Sequence, residues 1–232
     1  MNLESKVCII TGVSKGIGLA LCEALLAKNA IVIGFGRTKP TIDNDRFHFY
    51  KADVRSFESV ESAYAKVFED LGKDVDVLIN NAGLGYFAYL EDHTIEQWQE
   101  MFETNVNGVF YMSKIATPIM KETGRGHIIN IASTAGVEGY PQVSGYCGTK
   151  FAVKGMSQSM YKEMRDFGIK VTCVFPGSVK TDFFRNSAIE PHDYMLMPSD
   201  VADMIVYSLE TPDNFHQVNL EVRPLQPKGP KK

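Results

Sequence analysis

The stretch Thr11-Gly12-Val13-Ser14-Lys15-Gly16-Ile17-Gly18 follows the short apolar run Val7–Thr11 and leads into a segment of helical periodicity. Its three glycines, spaced Gly-x-x-x-Gly-x-Gly, predict a tight turn from a strand into a helix, in which backbone amides can approach an anion closely. A purely structural turn remains an alternative. The position at the first strand-to-helix junction favours a site for a dinucleotide pyrophosphate.

Outward from this turn, strand-like and helix-like segments alternate along the chain. Most of the strand-like runs are rich in Val and Ile and do not alternate with polar residues, as expected for a sheet that is covered on both faces. Thr94 and Gln97 predict a capping box at the start of the third helix. The predicted strands are Val7–Thr11, Ala30–Phe35, Phe47–Lys51, Val75–Asn80, His127–Ile131, Lys170–Phe175 and Val218–Val222, and the predicted helices are Leu19–Lys28, Phe57–Leu71, Ile95–Met120, Thr149–Asp166 and Ser199–Leu209.

This order predicts one α/β domain of the doubly wound, Rossmann type over residues 1–223, with a seven-stranded, mostly parallel sheet and helices on both faces. No change of composition marks a linker between domains. Residues 224–232 contain three prolines and several basic side chains, and we expect a flexible basic tail there.

Composition excludes several classes of protein. The 232 residues carry a net charge of −4, so there is no strong positive field to attract nucleic acid. The four cysteines and five histidines lack the spacing of a metal site, and reduced, buried thiols are the simpler interpretation. The apolar run near the amino terminus is too short for a signal peptide or a membrane span, so we expect a cytosolic protein without membrane contact.

The residues at the end of the second strand indicate which nicotinamide dinucleotide binds. An acid at this point binds the ribose 2′-hydroxyl of NAD, whereas a base accommodates the 2′-phosphate of NADP. Here Gly36 occupies the place of the acid, Arg37 and Thr38 follow it, and Lys15 of the glycine turn adds a positive charge. These residues favour NADP(H), with solvated surface charges as the alternative.

A second group of polar residues has catalytic potential. Tyr146 precedes Lys150 by four residues, which places both on one helix face, and Ser133 lies thirteen residues before the tyrosine. A nearby ammonium group should lower the pKa of the phenol and suit it to proton exchange with a carbonyl or alcohol. A Tyr-x-x-x-Lys pair also occurs by chance on helix surfaces, so its importance depends on the neighbouring nucleotide site.

Five blocks of the sequence together resemble the short-chain dehydrogenase/reductase family in its compact, single-domain form. Asn105, within Thr104-Asn105-Val106-Asn107-Gly108, also matches a family position. The stretch Val218–Pro224 is similar to the last strand of the NADP-dependent 3-hydroxy acid (serine-type) dehydrogenases, and short 3-oxoacyl carrier-protein reductases share the other blocks. The five blocks are Thr11–Gly18, Asp53-Val54, Asn80-Asn81-Ala82-Gly83, the set Ser133, Tyr146 and Lys150, and Pro176-Gly177-Ser178-Val179-Lys180-Thr181.

The resemblance implies a reversible NADP(H)-dependent reduction of a ketone or aldehyde to an alcohol. It implies that Tyr146 is the general acid or base, that Ser133 polarises the substrate oxygen and that Lys150 also holds the nicotinamide ribose. Asn105 would position a water molecule in a proton relay. The alternative that we retain is a catalytically idle protein that binds NADP(H) as a redox sensor or to engage a partner; the complete catalytic set favours the enzyme.

The resemblance also implies cofactor contacts, a short substrate lid at about 182–197 and a homo-oligomer, either a dimer or a tetramer. The substrate would be a small molecule. Asp53 and Val54 would contact the adenine, and Val179 and Thr181 the carboxamide. The implied cofactor-binding residues are Gly12, Ser14, Lys15, Gly16, Ile17, Gly18, Arg37, Thr38, Asp53, Val54, Asn80, Ala82, Gly83, Tyr146, Lys150, Pro176, Gly177, Val179 and Thr181.

Overall fold

The computed structural model describes residues 1–186 and 190–227. Seven strands form one sheet in the order β3-β2-β1-β4-β5-β6-β7, and every neighbouring pair is parallel. The predicted seven-stranded, doubly wound fold is therefore confirmed, with a sheet that is entirely parallel. The strands are β1 (Val7–Thr11), β2 (Ile31–Gly36), β3 (Phe47–Lys51), β4 (Val77–Asn80), β5 (Gly126–Ile131), β6 (Ile169–Pro176) and β7 (Asn219–Val222).

Helices cover both faces of the sheet. On one face, α1 packs against α6 around Leu25 and Ile205, and Ile10 of β1 belongs to this core. On the other, Ile9 of the same strand joins the core that contains Met112 of α4. Adjacent strand residues thus enter opposite cores, which explains the continuous apolar runs. The helices are α1 (Gly16–Leu26), α2 (Phe57–Leu71), α3 (Ile95–Phe102), α4 (Gly108–Thr123), α5 (Ser144–Met164) and α6 (Pro198–Leu209).

The predicted long helix Ile95–Met120 is interrupted. A π-helical turn, Glu103–Asn107, separates α3 from α4, while the predicted capping box of Thr94 and Gln97 is present. Such turns widen the helix locally and are frequent at functional sites. The helix α5 also begins earlier than predicted, so Tyr146 lies in its first turn.

The order of the strands reverses between β1 and β4, and the chain leaves these two strands toward opposite sides of the sheet. This opens a crevice beyond their carboxyl ends, where ligands of doubly wound proteins bind. The glycine turn after β1 lies at this crevice, together with the segments that follow β4, β5 and β6.

The ends of the predicted domain are described in part. Pro224 and Pro227 of the predicted tail line the crevice, while Leu225 between them is 95% exposed, and 228–232 are outside the described residues. Residues 187–189 of the predicted lid are also outside them. Within the described part of the chain, no helix has the length and apolar character needed to cross a bilayer. No cluster of side chains suited to a metal ion occurs there either.

The buried His127 predicts that the stability of the domain depends on pH. His127 of β5 is 1% exposed; its Nε2 lies 2.8 Å from Thr172 Oγ1, and its Nδ1 has no hydrogen-bond partner among the described residues. Because the Thr172 hydroxyl donates to the Gln217 carbonyl, Nε2 carries the proton and donates to Thr172. Burial lowers the pKa of His127 to about 3, and the positive charges of His216 and Lys170 act in the same direction.

We expect the free energy of unfolding to fall as the pH drops from about 6.5 toward 3, because the unfolded chain then binds a proton at His127 that the folded chain does not. Urea unfolding at pH 7 and pH 4.5 measures the slope of the free energy of unfolding against pH. The variant His127→Gln should have a shallower slope, whereas His48→Gln on β3 should retain the original one. Equal slopes in the wild type and His127→Gln would show that this histidine does not control acid stability.

Candidate active site

A cleft of about 840 Å³ runs along the carboxyl edge of the sheet, and almost all predicted site residues meet in it. The glycine turn and the tip of β2 form one end. The first turn of α5 and the segment after β6 form the other. The predicted residues that line the cleft are Gly12, Ser14, Lys15, Gly16, Ile17, Arg37, Thr38, Asp53, Val54, Ala82, Gly83, Ser133, Tyr146, Lys150, Pro176, Gly177, Val179 and Thr181.

The glycine turn packs closely on the neighbouring loops and lines the cleft. Gly12 has φ +72°, and a Cβ there would lie 2.9 Å from Ala82 Cα. Gly16 has φ +59° and begins α1, and the side chain of Lys15, the residue that caps this helix, makes no capping hydrogen bond. The first amides of α1 are thus directed at the cleft, where the helix dipole favours an anion.

Two predicted cofactor residues have other roles. Gly18 does not line the cleft, because it packs against the turn: a Cβ there would lie 2.2 Å from the Gly12 carbonyl oxygen. Asn80 is also absent from the cleft lining. It is 3% exposed, and its Nδ2 donates to Ser113 Oγ and Asn130 Oδ1 beneath the sheet edge. Gly18 and Asn80 thus lie outside the cleft lining, and their predicted contacts with the cofactor stay predictions.

The next residue, Asn81, stabilises the glycine turn instead. Its Nδ2 donates to the carbonyl oxygens of Thr11 at 2.9 Å and Gly12 at 3.2 Å. Its backbone N–H and that of Ala82 both donate to Thr11 Oγ1. This network connects the end of β4 with the end of β1 and holds the floor of the cleft between them.

Positive charge gathers at the end of the cleft near the tip of β2. Arg37 and Thr38 are exposed there. Lys15 forms an ion pair with Asp182 at 2.9 Å, in which the two side chains are 53% and 68% exposed. Exposed pairs of this kind contribute only about 0–1 kcal/mol, so an incoming phosphate can compete for the lysine.

At the other end, Tyr146 and Lys150 lie one turn apart on α5 and are both buried. Lys150 Nζ lies 5.6 Å from the centre of the Tyr146 ring and donates a hydrogen bond of 2.9 Å to the Ile131 carbonyl. Ser133 follows β5 and lines the same part of the cleft. The structure therefore brings these three side chains together, as the sequence predicts.

The direction of the tyrosine's pKa shift differs from the prediction. Burial raises the pKa of Tyr146, and the hydrogen bond with the Ser133 side chain only partly opposes this effect. Burial also lowers the pKa of Lys150 to about 8. Desolvation is the largest cause for both groups, so the phenol holds its proton at neutral pH. A protonated phenol is the form that a general acid needs.

Asn105 lies behind this pair, in the π-helical turn. Its Oδ1 accepts from the Leu84 amide, and its Nδ2 donates to the Leu84 carbonyl and to Thr149 Oγ1. It is 1% exposed and does not line the cleft. The asparagine thus anchors the loop after β4 to α5, and its predicted place in a proton relay stays a prediction.

Sequence reasoning missed a chain of ionic contacts along the cleft. Arg55 binds the Asp53 carboxylate through Nε at 3.0 Å and Nη2 at 2.7 Å, and its Nη1 donates to Glu100 at 3.0 Å. The other Glu100 oxygen accepts from the Tyr86 hydroxyl at 2.6 Å. Asp53 thus bonds to arginine here, and its predicted contact with adenine stays untested. Arg55 and Glu100 are 45 residues apart, so spacing in the sequence gave no signal of their pairing.

Comparison with known proteins agrees with this geometry. Residues 6–191 match the family model described as short chain dehydrogenase. An uncharacterized oxidoreductase of Staphylococcus aureus strain USA300 is 32% identical over 231 residues, with 96% of this chain and 99% of the relative covered.

Two solved structures have the same fold. One is the closed form of a serine dehydrogenase complexed with NADP+, with a TM-score of 0.89 and 27% identity over 95% of both chains. The other is a 3-ketoacyl-(acyl-carrier-protein) reductase from Brucella melitensis complexed with NADH, with a TM-score of 0.87 and 27% identity over 97% of this chain and 99% of that one. Since the family model covers most of the sequence and the site residues converge in one cleft, the chain belongs to the short-chain dehydrogenase/reductase family of NAD(P)-dependent oxidoreductases.

Proposed function

We propose that this protein is an NADP(H)-dependent reductase that converts a ketone or aldehyde to an alcohol and also catalyses the reverse reaction. The observation that carries the proposal is the position of the buried Tyr146 hydroxyl, which shares one cleft with Ser133, Lys150 and the glycine turn. A protein that only binds a dinucleotide has no need of a protonated phenol beside a lysine in a desolvated pocket.

The residues of the cleft fit a nicotinamide dinucleotide. Gly12 and Gly16 keep side chains away from the place where a pyrophosphate would meet the first amides of α1. Lys15 and Arg37 would hold the 2′-phosphate of NADP, and Gly36 presents no carboxylate to repel it. Lys150 would hold the nicotinamide ribose.

The protein's own contribution to the reaction is proton transfer and orientation. When bound, NADPH supplies the hydride that the carbonyl carbon gains. The Tyr146 hydroxyl gives its proton to the carbonyl oxygen, so that the C=O bond becomes a C–OH group and oxidised NADP+ remains. Ser133 donates a hydrogen bond to the same oxygen and so favours the charge that develops on it. Lys150 stabilises the phenolate that forms when Tyr146 gives up its proton, until this phenolate regains a proton from solvent.

The test is the oxidation of NADPH, followed by absorbance, against a panel of β-keto esters, α-diketones, aldehydes and acyl thioesters. We expect turnover with some members of the panel and a higher kcat/KM for NADPH than for NADH. The ratio of kcat/KM for NADPH to kcat/KM for NADH should decrease in the variant Arg37→Ala, because one of the two cations proposed for the 2′-phosphate is lost.

Two outcomes would contradict the proposal in different ways. Equal kcat/KM values for NADH and NADPH would contradict the proposed 2′-phosphate site, but the proposed carbonyl reduction would stand. Tight binding of NADPH without turnover of any compound would favour the alternative of a redox sensor or partner-binding protein.

The cytosolic location and the homo-oligomer remain predictions, and sedimentation in solution measures the oligomeric state.

A further inference from the structure

Beyond the catalytic residues, the cleft contains walls that select the substrate. We propose that the substrate is an uncharged aryl carbonyl compound and that the cleft discriminates against carboxylates. This inference rests on the proposed function, since it describes the substrate of the same reaction. It is carried by two independent features, the aromatic lining beside Tyr146 and the pairing of the charges around it.

Aromatic rings line the cleft beside the ring of Tyr146. Phe183 packs on Tyr146 with 5.3 Å between ring centres. Phe87 meets Phe183 edge to face at 5.9 Å and lies 6.1 Å from Phe184, which itself meets Phe183 edge to face at 5.7 Å. Pairs of this kind are stabilising beyond the burial of their area, and an aromatic ligand can form the same contacts.

The floor beneath these rings is also apolar and closely fitted. Leu84, Val143 and Met101 belong to the same cluster as Tyr146 and Phe183. Gly85 keeps the loop after β4 against the rings, because a Cβ there would lie 2.8 Å from Phe183 Cζ and 3.2 Å from Tyr146 Cδ2.

Two arginines that line the cleft, Arg223 and Arg55, are already paired with carboxylates. Arg223 lines the cleft and pairs with Glu138 at 2.7 Å and Glu221 at 2.6 Å. Arg55 is likewise shared by Asp53 and Glu100. Each of these two clusters contains one cation and two carboxylates, so each carries an excess negative charge. A substrate carboxylate that enters the cleft would lose water and would find both arginines already paired.

Discrimination can be measured with two ketones of nearly identical shape, methyl 4-acetylbenzoate and 4-acetylbenzoate. At pH 7 with saturating NADPH, we expect kcat/KM for the neutral ester to exceed that for the carboxylate about 100-fold or more, because the charge is desolvated without a partner. The double variant Glu138→Gln and Glu221→Gln, which leaves Arg223 without a carboxylate, should raise kcat/KM for the carboxylate and leave the value for the ester nearly unchanged.

The aromatic contribution is tested with Phe183→Ala. This variant should lower kcat/KM for the aryl ester about 10-fold or more, mainly through KM, because it removes the ring that contacts the substrate. Its matched control is Phe167→Ala, which removes a ring that lies under the Lys121 ammonium group on the helix end away from the cleft. We expect the control to retain wild-type kinetics.

The outcomes separate this inference from the proposed function. If carbonyl compounds are reduced but kcat/KM for 4-acetylbenzoate equals or exceeds that for its methyl ester, the proposed substrate class is wrong and the proposed reductase activity stands. The same conclusion follows if small aliphatic ketones are reduced faster than aryl ketones and Phe183→Ala has no effect. Absence of turnover with every carbonyl compound would overturn both proposals.

Discussion

The variant Tyr146→Phe should lower kcat about 1,000-fold or more, because it removes the proton donor to the carbonyl oxygen from the buried pocket. The ring remains in place against Phe183, so the substrate wall is preserved. Single-turnover oxidation of NADPH measures the loss directly. Fluorescence titration should give nearly unchanged NADPH affinity, since the phenol contributes little binding energy compared with the phosphate contacts.

The control for this experiment lies on the same helix. Tyr161 of α5 packs against the ring of His216, on the side of the domain away from the cleft, and Tyr161→Phe should retain the wild-type rate. Rapid turnover by Tyr146→Phe would exclude the tyrosine as general acid. The same loss in both variants would instead indicate a defect of the whole helix.

The variant Gly18→Ala should destabilise the protein and weaken NADPH binding together. Its Cβ would lie 2.2 Å from the Gly12 carbonyl oxygen and 2.5 Å from Asn81 Nδ2, so the glycine turn and α1 must separate. Overpacking against backbone costs about 3 kcal/mol. For a chain of this size, that corresponds to a decrease of about 6–12 °C in Tm, which thermal unfolding measures.

A matched substitution in another helix separates this clash from the general effect of replacing glycine. Gly155 of α5 has no atom within 4 Å of its hypothetical Cβ, so Gly155→Ala should stabilise the helix by about 0.5–1 kcal/mol. A Gly18→Ala protein with wild-type Tm and NADPH affinity would show that the turn can rearrange without cost.

The features that the sequence could predict are those that depend on local pattern. The strands match within about two residues, since buried parallel strands are continuous apolar runs between turns. Most cofactor residues lie at the cleft because their motifs occur at the ends of those strands. Tyr146 and Lys150 share a face because helical spacing requires it.

The features that the sequence could not predict depend on which residues meet across the fold. Asn80 and Asn81 are adjacent in one motif, and only the pleat of β4 decides that the first is buried below the edge while the second supports the glycine turn. The pKa of Tyr146 rises because the pocket is closed from several elements. The Arg55–Glu100 pair likewise joins segments that the sequence does not relate.

The packing of α1 against α6 has a consequence for biosynthesis. These helices share one core, and the amino group of Met1 donates hydrogen bonds to the carbonyls of Leu209 and Thr211. A growing chain therefore exposes the apolar face of α1 until nearly the whole sequence has left the ribosome. Native contacts of such long range close slowly, and intermediates with uncovered apolar surface aggregate readily. Chaperone supply during expression should thus raise the yield of folded protein.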